Sequence, residues 1–222
     1  MKKVSLFILI AISMSAYGFS QDTVRIKYGL FAGANVSQIH TTVPGSGSAY
    51  SANKVGLNFG ILVEVPFSSY FAIQPELSFS QLGWNVTERL YLDSLTLNNP
   101  KYNLNYISLP ILIKFKVAPT VKNGNGLALY AGPQVGYLAG ANLTADNASG
   151  SQSIKDGFGS FDFSGIAGAE YFMPMGIGIS VRYQLGFSNI FSKEAVDEFY
   201  QIYGSDVTVK NHALTVTFGY RF

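Results

Sequence analysis

The stretch Leu214–Phe222, LTVTFGYRF, is apolar at every even position: Leu214, Val216, Phe218, Tyr220 and Phe222. Thr215, Thr217, Gly219 and Arg221 stand between them. Side chains alternate across a strand, so this segment has one greasy face and one polar face. At the edge of a soluble sheet those aromatic residues would invite aggregation. In a closed barrel in lipid every backbone group is paired and the apolar face lies in hydrocarbon. The segment therefore predicts a transmembrane strand in the outer membrane of a Gram-negative cell. Its aromatic positions Phe218, Tyr220 and Phe222 are the expected signal for the outer-membrane barrel-assembly machinery.

The opposite end of the sequence agrees. Met1-Lys2-Lys3 is a positive n-region, and Val4–Ala16 is apolar but shorter than the ~20 residues that span a bilayer. Small residues follow at Ala16, Gly18 and Ser20. Residues 1–20 are expected to be a cleaved secretory signal peptide, cut after Gly18 or Ser20. Residues 21–222 are then one outer-membrane β-barrel domain. The absence of cysteine excludes a lipoprotein, disulfides, thiol catalysis and Cys-ligated metals.

Charged residues make up only 13% of the chain, against about 25% in soluble domains. Yet beyond the h-region no apolar run approaches ~18 residues, so no transmembrane helix is predicted. Transmembrane strands reconcile the two facts, because lipid-facing and lumen-facing residues alternate. The net charge of +2 gives no footprint for nucleic acid.

Eight alternating segments can be marked, at 27–38, 54–65, 70–82, 104–117, 127–143, 159–172, 176–190 and 211–222. Stretches rich in Ser, Gly and Asn at 39–53, 83–103, 144–158 and 191–210 are long, whereas 66–69, 118–126 and 173–175 are short and carry Pro66, Pro119 and Pro174. Long external loops alternating with short periplasmic turns describe an outer-membrane barrel. The expected fold class is all-β, an eight-stranded antiparallel up-and-down transmembrane β-barrel, with both termini periplasmic.

Within these segments the apolar parity defines a lipid face, for example Val55, Leu57, Phe59, Ile61 and Val63. Glu64, Glu76, Lys114, Lys116, Asp162, Glu170, Arg182 and Arg221 all fall on the other parity, toward the lumen. A lipid-facing Lys or Arg at mid-membrane costs ~2–4 kcal/mol, which explains the bias. A soluble sandwich or lipocalin would show the inverse pattern, with its polar residues outward. Four of the eight are acidic and four basic, so the lumen charge network sums to zero. An eight-stranded barrel is just wide enough for side chains to fill it, and buried charges must pair. A plugged polar lumen is expected; a narrow porin for small solutes is the alternative.

Finer expectations follow from position. Glu64, Lys114, Lys116, Glu170 and Arg221 should share a layer near the periplasmic turns, Glu76 and Arg182 should lie near mid-height, and Asp162 toward the external end. Gln74, Gln134, Asn58, Asn142 and Gln184 share the inward parity. Tyr28, Phe71, Tyr106, Tyr137, Phe161, Tyr171 and Tyr220 fit aromatic girdles. His40 and His212 lie near the external ends, where a lipid-modifying catalytic site is the less favoured reading. No GxSxG, paired carboxylates or metal-ligand spacing accompanies them, so no catalytic, cofactor or metal residues are assigned. Ser192–Tyr203 (SKEAVDEFYQIY) is an amphipathic stretch capped by Ser192, expected to bind a partner or to close the mouth as a flap.

The segments YGLFAGANVS (28–37), QPELSFSQLGW (74–84), NYISLPILIKFK (105–116), YAGPQVGYL (130–138), FDFSGIAGAEY (161–171) and VRYQLGFSNI (181–190) occur in that order. Together they resemble the PorT-type, or "porin family", outer-membrane β-barrels of Bacteroidota. Leu109-Pro110 and FDFSG…GAE are the most specific parts. The resemblance implies an eight-stranded barrel, inserted in outer-membrane lipid by the assembly machinery, and no active-site residues. One family member is linked to secretion, so a secretion-system or surface partner is among the expectations. The functional expectation is a non-enzymatic integral outer-membrane protein with a structural or interaction role.

Overall fold

A computed structural model describes residues 25–44, 47–86, 90–92, 95–117, 126–147 and 150–222. The predicted signal peptide, residues 1–20, and the turn carrying Pro119 lie outside the described residues. Eight long strands follow one another: β1 (Lys27–Val43), β2 (Lys54–Pro66), β3 (Phe71–Asn85), β4 (Lys101–Lys116), β5 (Gly126–Thr144), β6 (Phe161–Phe172), β7 (Ile177–Gly186) and β8 (Thr208–Arg221). Each pairs antiparallel with its neighbour in sequence, and β8 pairs with β1 from Gly29↔Arg221 to Thr42↔Thr208. That last ladder closes the barrel and removes the edge that LTVTFGYRF would otherwise expose.

The two ends differ in their connections. At one end β2–β3 and β6–β7 are joined by short turns. Ser68 Oγ accepts from the backbone N–H groups of Tyr70 and Phe71 at 3.2 and 2.9 Å. In the second turn Pro174 follows Met173, and Gly176 takes a φ of 89°, a conformation for which glycine is suited. At the other end the connections carry their own structure. Gly47–Tyr50 pairs with β1, Leu90–Leu92 pairs with Leu95–Leu97, Gln152–Ser153 pairs with β5, and α1 (Lys193–Tyr203) precedes β8.

Burial alternates along every strand. Leu57 and Ile61 are 60% and 58% exposed, while Asn58 and Leu62, the residues that follow each of them, are 7% and 4% exposed. On β7 the outward positions Ile177, Ile179, Val181, Tyr183 and Leu185, followed by Phe187, are all exposed. Ten steps of ~3.3 Å, tilted by ~40°, give a belt roughly 25 Å tall, the height an outer-membrane barrel requires.

Above that belt the strands continue with their polarity inverted. On β1 the outward residues change from Leu30 and Val36 to Gln38 and His40, while inward Asn35 and Ser37 give way to Ile39. On β3 outward Phe79 is followed by Gln81, and inward Ser80 by Leu82 and Trp84. On β4 Leu104 and Tyr106 turn inward while Asn103 and Asn105 turn outward. The wall at the loop end is thus built like a water-soluble barrel, apolar inside and polar outside.

Two expected orientations are corrected. Tyr106 belongs to no girdle: it is 2% exposed and faces inward, sharing its parity with Ser108. Asn142 faces outward because a bulge lies opposite Asn105/Tyr106, so Ala141 takes the inward place opposite Leu104. Tyr28, Phe71, Tyr137, Phe161, Tyr171 and Tyr220 are exposed on the outer face.

Candidate functional site

The lumen holds all eight strand charges that parity directed inward, each buried. Toward the turn end Lys114 Nζ lies 2.8 Å from Glu64 and also contacts Glu170. Lys116 reaches Glu64 at 3.0 Å, and Arg221 contacts Glu64 and lies 3.2 Å from Glu170. The Arg221 guanidinium also stacks over Phe172, 3.4 Å from the ring centre. β2, β4, β6 and β8 thereby meet in one layer through five side chains.

Gln74 joins this layer to the next. Its carbonyl accepts from Lys114 at 2.8 Å, and its amide donates to Glu76 at 2.7 Å. Glu76 then receives both terminal nitrogens of Arg182, at 2.6 and 3.3 Å. Phe31 and Tyr130 present their rings to Arg182 at 5.3 and 5.5 Å. Amphipathic parity put Gln74 inside, but its two-sided amide role carries no signature in sequence.

Asp162 lies higher. Its carboxylate accepts from Ser188 at 2.7 Å and from Asn211 at 2.9 Å, and Asn211 also donates to Tyr106 at 3.2 Å. Lys54 was not among the expected charges, yet it is buried here and donates to the Leu82 carbonyl at 3.4 Å. It opens β2, where one residue of alternation could not distinguish strand from loop.

Over these polar layers sits an apolar cap of Ile39, Leu82, Trp84, Leu104, Leu138, Ile190 and Val209. α1 covers it: Val196 and Phe199 pack against the cluster. Ser192 caps the helix by accepting from Ala195 N–H at 3.2 Å, and Gly204 ends it in the left-handed region. The flap expectation for Ser192–Tyr203 therefore describes where this helix lies. An interior void bounded by Phe31, Gln74, Glu170 and Arg182 measures about 10 Å³, room for one water.

His40 is half-buried and His212 buried on the β1–β8 seam, their ring centres 5.8 Å apart, and His212 Nδ1 lies 2.9 Å from the Tyr183 hydroxyl. They do not converge on the mouth. Among the described residues no group of His, Cys, Asp and Glu is arranged to hold a metal. In the loops Lys101 pairs with Asp146 at 3.0 Å. Hydrogen bonds from Asn99 and Lys101 hold the exposed Asp146 carboxyl below its usual range.

The closed, lumen-filled barrel has a counterpart among known families. The family model of the outer membrane protein beta-barrel domain matches residues 19–192. The chain belongs to this outer-membrane β-barrel family. Among solved structures, Ail of Yersinia pestis is similar over 88% of this chain and 98% of its own, at 16% identity and a TM-score of 0.41. Neisserial surface protein A is similar over 87% and 97%, at 10% identity and a TM-score of 0.47. OprG of Pseudomonas aeruginosa is similar over 88% and 95%, at 15% identity and 0.43. No curated protein sequence matches. As a member of the family, this barrel is an outer-membrane protein, and its outer apolar belt is its lipid contact.

Proposed function

We propose that this outer-membrane barrel is a plugged, non-enzymatic protein whose work is done by its loops and outer wall. One observation carries the reading: among the described residues the interior is occupied at successive levels by the Glu64 layer, the Glu76–Arg182 pair and the apolar cap beneath α1. A charge-selective pathway would show an excess of one sign of charge, and here charges of both signs bond to one another. The loops are external and both termini periplasmic in this reading, and outer-membrane lipid is the surrounding partner. Within the family, kinship to the PorT-type barrels is proposed on the Leu109-Pro110 and FDFSG…GAE segments. Phe218, Tyr220 and Phe222 are the proposed mark for the assembly machinery.

Planar-bilayer recording of the refolded barrel tests the plug. The expected result is a quiet baseline. Large, stable single-channel steps would overturn the plug and favour a narrow porin instead.

A further inference from the structure

The turn between β6 and β7 carries side chains whose chemistry the lumen does not use. Of the four methionines in the sequence, Met1 and Met14 precede residue 21, and there is no cysteine. Within residues 21–222 the sulfur atoms are therefore those of Met173 and Met175, which stand either side of Pro174 on this one turn. Both are exposed, at 42% and 65%. The single tryptophan, by contrast, is buried in the apolar cap.

The turn is held by its main chain. Gly176 N–H donates to the Met173 carbonyl at 3.0 Å, closing a four-residue turn with proline second and glycine last. Met173 N–H donates to the Ile177 carbonyl at 2.8 Å, and Arg221 N–H donates to the Gly176 carbonyl at 2.8 Å. A Cβ at residue 176 would fall 2.3 Å from the Arg221 carbonyl oxygen, so only glycine lets β8 approach this closely. None of these bonds uses a thioether, and a change at the two sulfur atoms leaves all of them in place.

Two thioethers without a further soft donor make a poor metal site, and His40 and His212 stand at the opposite end of β1 and β8. An exposed thioether does give up an electron pair readily to an oxidant. From two exposed sulfurs on a turn held by its main chain, we infer that Met173 and Met175 form a reversible oxidation site for soluble peroxides. In each step a sulfur lone pair attacks one peroxide oxygen and the O–O bond breaks. The new S–O bond makes a sulfoxide, sulfur is oxidised by two electrons, and the second oxygen leaves as water with both protons. Reversal is the work of a dithiol-dependent sulfoxide reductase: two thiols become a disulfide and the sulfoxide oxygen leaves as water. Exposed Tyr171, Ile177 and Tyr220 form an apolar rim around the turn, and oxidation sets polar sulfoxides into that rim.

The test uses the barrel purified from outer membranes and reconstituted in lipid vesicles. Hydrogen peroxide is added, and peptide mass spectrometry locates the oxygen taken up. The expected result is one oxygen on Met173 and one on Met175, at a dose that oxidises both in the urea-unfolded chain. The oxidised barrel should keep its heat-modifiable gel migration. Methionine sulfoxide reductases acting on each sulfoxide epimer, supplied with a dithiol, should remove both oxygens. Met173→Leu and Met175→Leu should each lose one oxygen, and the double variant both. A peroxide dose that oxidises the unfolded chain but spares the folded barrel would overturn the site, because the sulfurs would then be out of reach of water. Uptake that persists in the double variant would overturn the choice of these residues. Loss of heat-modifiable migration on oxidation would overturn the turn's independence of its thioethers.

Discussion

At the scale of single residues, the Glu76–Arg182 pair tests how strongly the lumen depends on mutual neutralisation. Both are buried, and Arg182 bonds to both oxygens of the carboxylate. Removing one member leaves the other charge without its partner, so Arg182→Ala should cost about 3–5 kcal/mol. Arg182→Lys keeps the charge and loses the two-pronged geometry, so its cost should be smaller. Urea unfolding in lipid vesicles measures both, and equal stability of Arg182→Ala and parent would refute the argument. In the loops the sign of a pH effect is fixed by Asp146. Its folded carboxyl titrates below its unfolded value, so its contacts with Asn99 and Lys101 contribute at neutral pH and fade as pH falls through the lowered value. Amide protection factors around Asn98 and Asn99, with the intrinsic pH dependence of exchange divided out, should fall on acidification, and Asp146→Asn should remove that acid dependence.

At the scale of elements, parity is the governing rule, and it fails where the environment changes or a bulge shifts the register. Val181 on β7 faces outward near mid-belt, so Val181→Lys should cost ~2–4 kcal/mol in vesicle unfolding. Its neighbours Ser180 and Arg182 face in, and a one-residue slip would exchange them. All eight strands were legible for this reason, as was the helix cap at Ser192. The upper ends of β1, β3, β4 and β8 were not. Ile39, Leu82, Trp84 and Leu104 are apolar on the parity that is polar lower down, so alternation read as lipid-facing stops at the membrane boundary and the wall beyond reads as loop. Asn142 was misplaced because a bulge has no mark in hydropathy, and Tyr106 because a tyrosine is at home in a girdle or a core. The lumen residues were legible as a face, whereas their pairings, with Gln74 as the link, needed three dimensions. For α1, Ser192→Ala removes the cap and should cost ~1 kcal/mol locally. Faster trypsin cleavage after Lys193 on intact cells would show it, and protection of that bond in both forms would argue against an external, cap-dependent helix.

At the scale of the whole molecule, the inversion of polarity divides the barrel into two storeys. The lower one is turned inside out by lipid, with ion pairs within and hydrocarbon without. The upper one obeys the rule of water, with Trp84 stacked on Tyr102 at 4.2 Å and packed near Phe158 at 6.2 Å, inside a polar wall. The chain has a single tryptophan, so its fluorescence reports on this storey alone. If the upper storey stands clear of the bilayer, Trp84 emission should be blue-shifted, because the indole is buried among apolar groups. Brominated acyl chains should leave it unquenched, because those chains end at the level of Val36 and Leu214. Acrylamide in the water should also quench it poorly. As a positive control, tryptophan placed at Leu57 in a Trp84→Phe background faces the lower belt and should be strongly quenched by the same lipids. Strong lipid quenching of native Trp84 would put the bilayer boundary above Leu82, and the loop-end wall would then be membrane rather than a soluble cap on a plugged barrel.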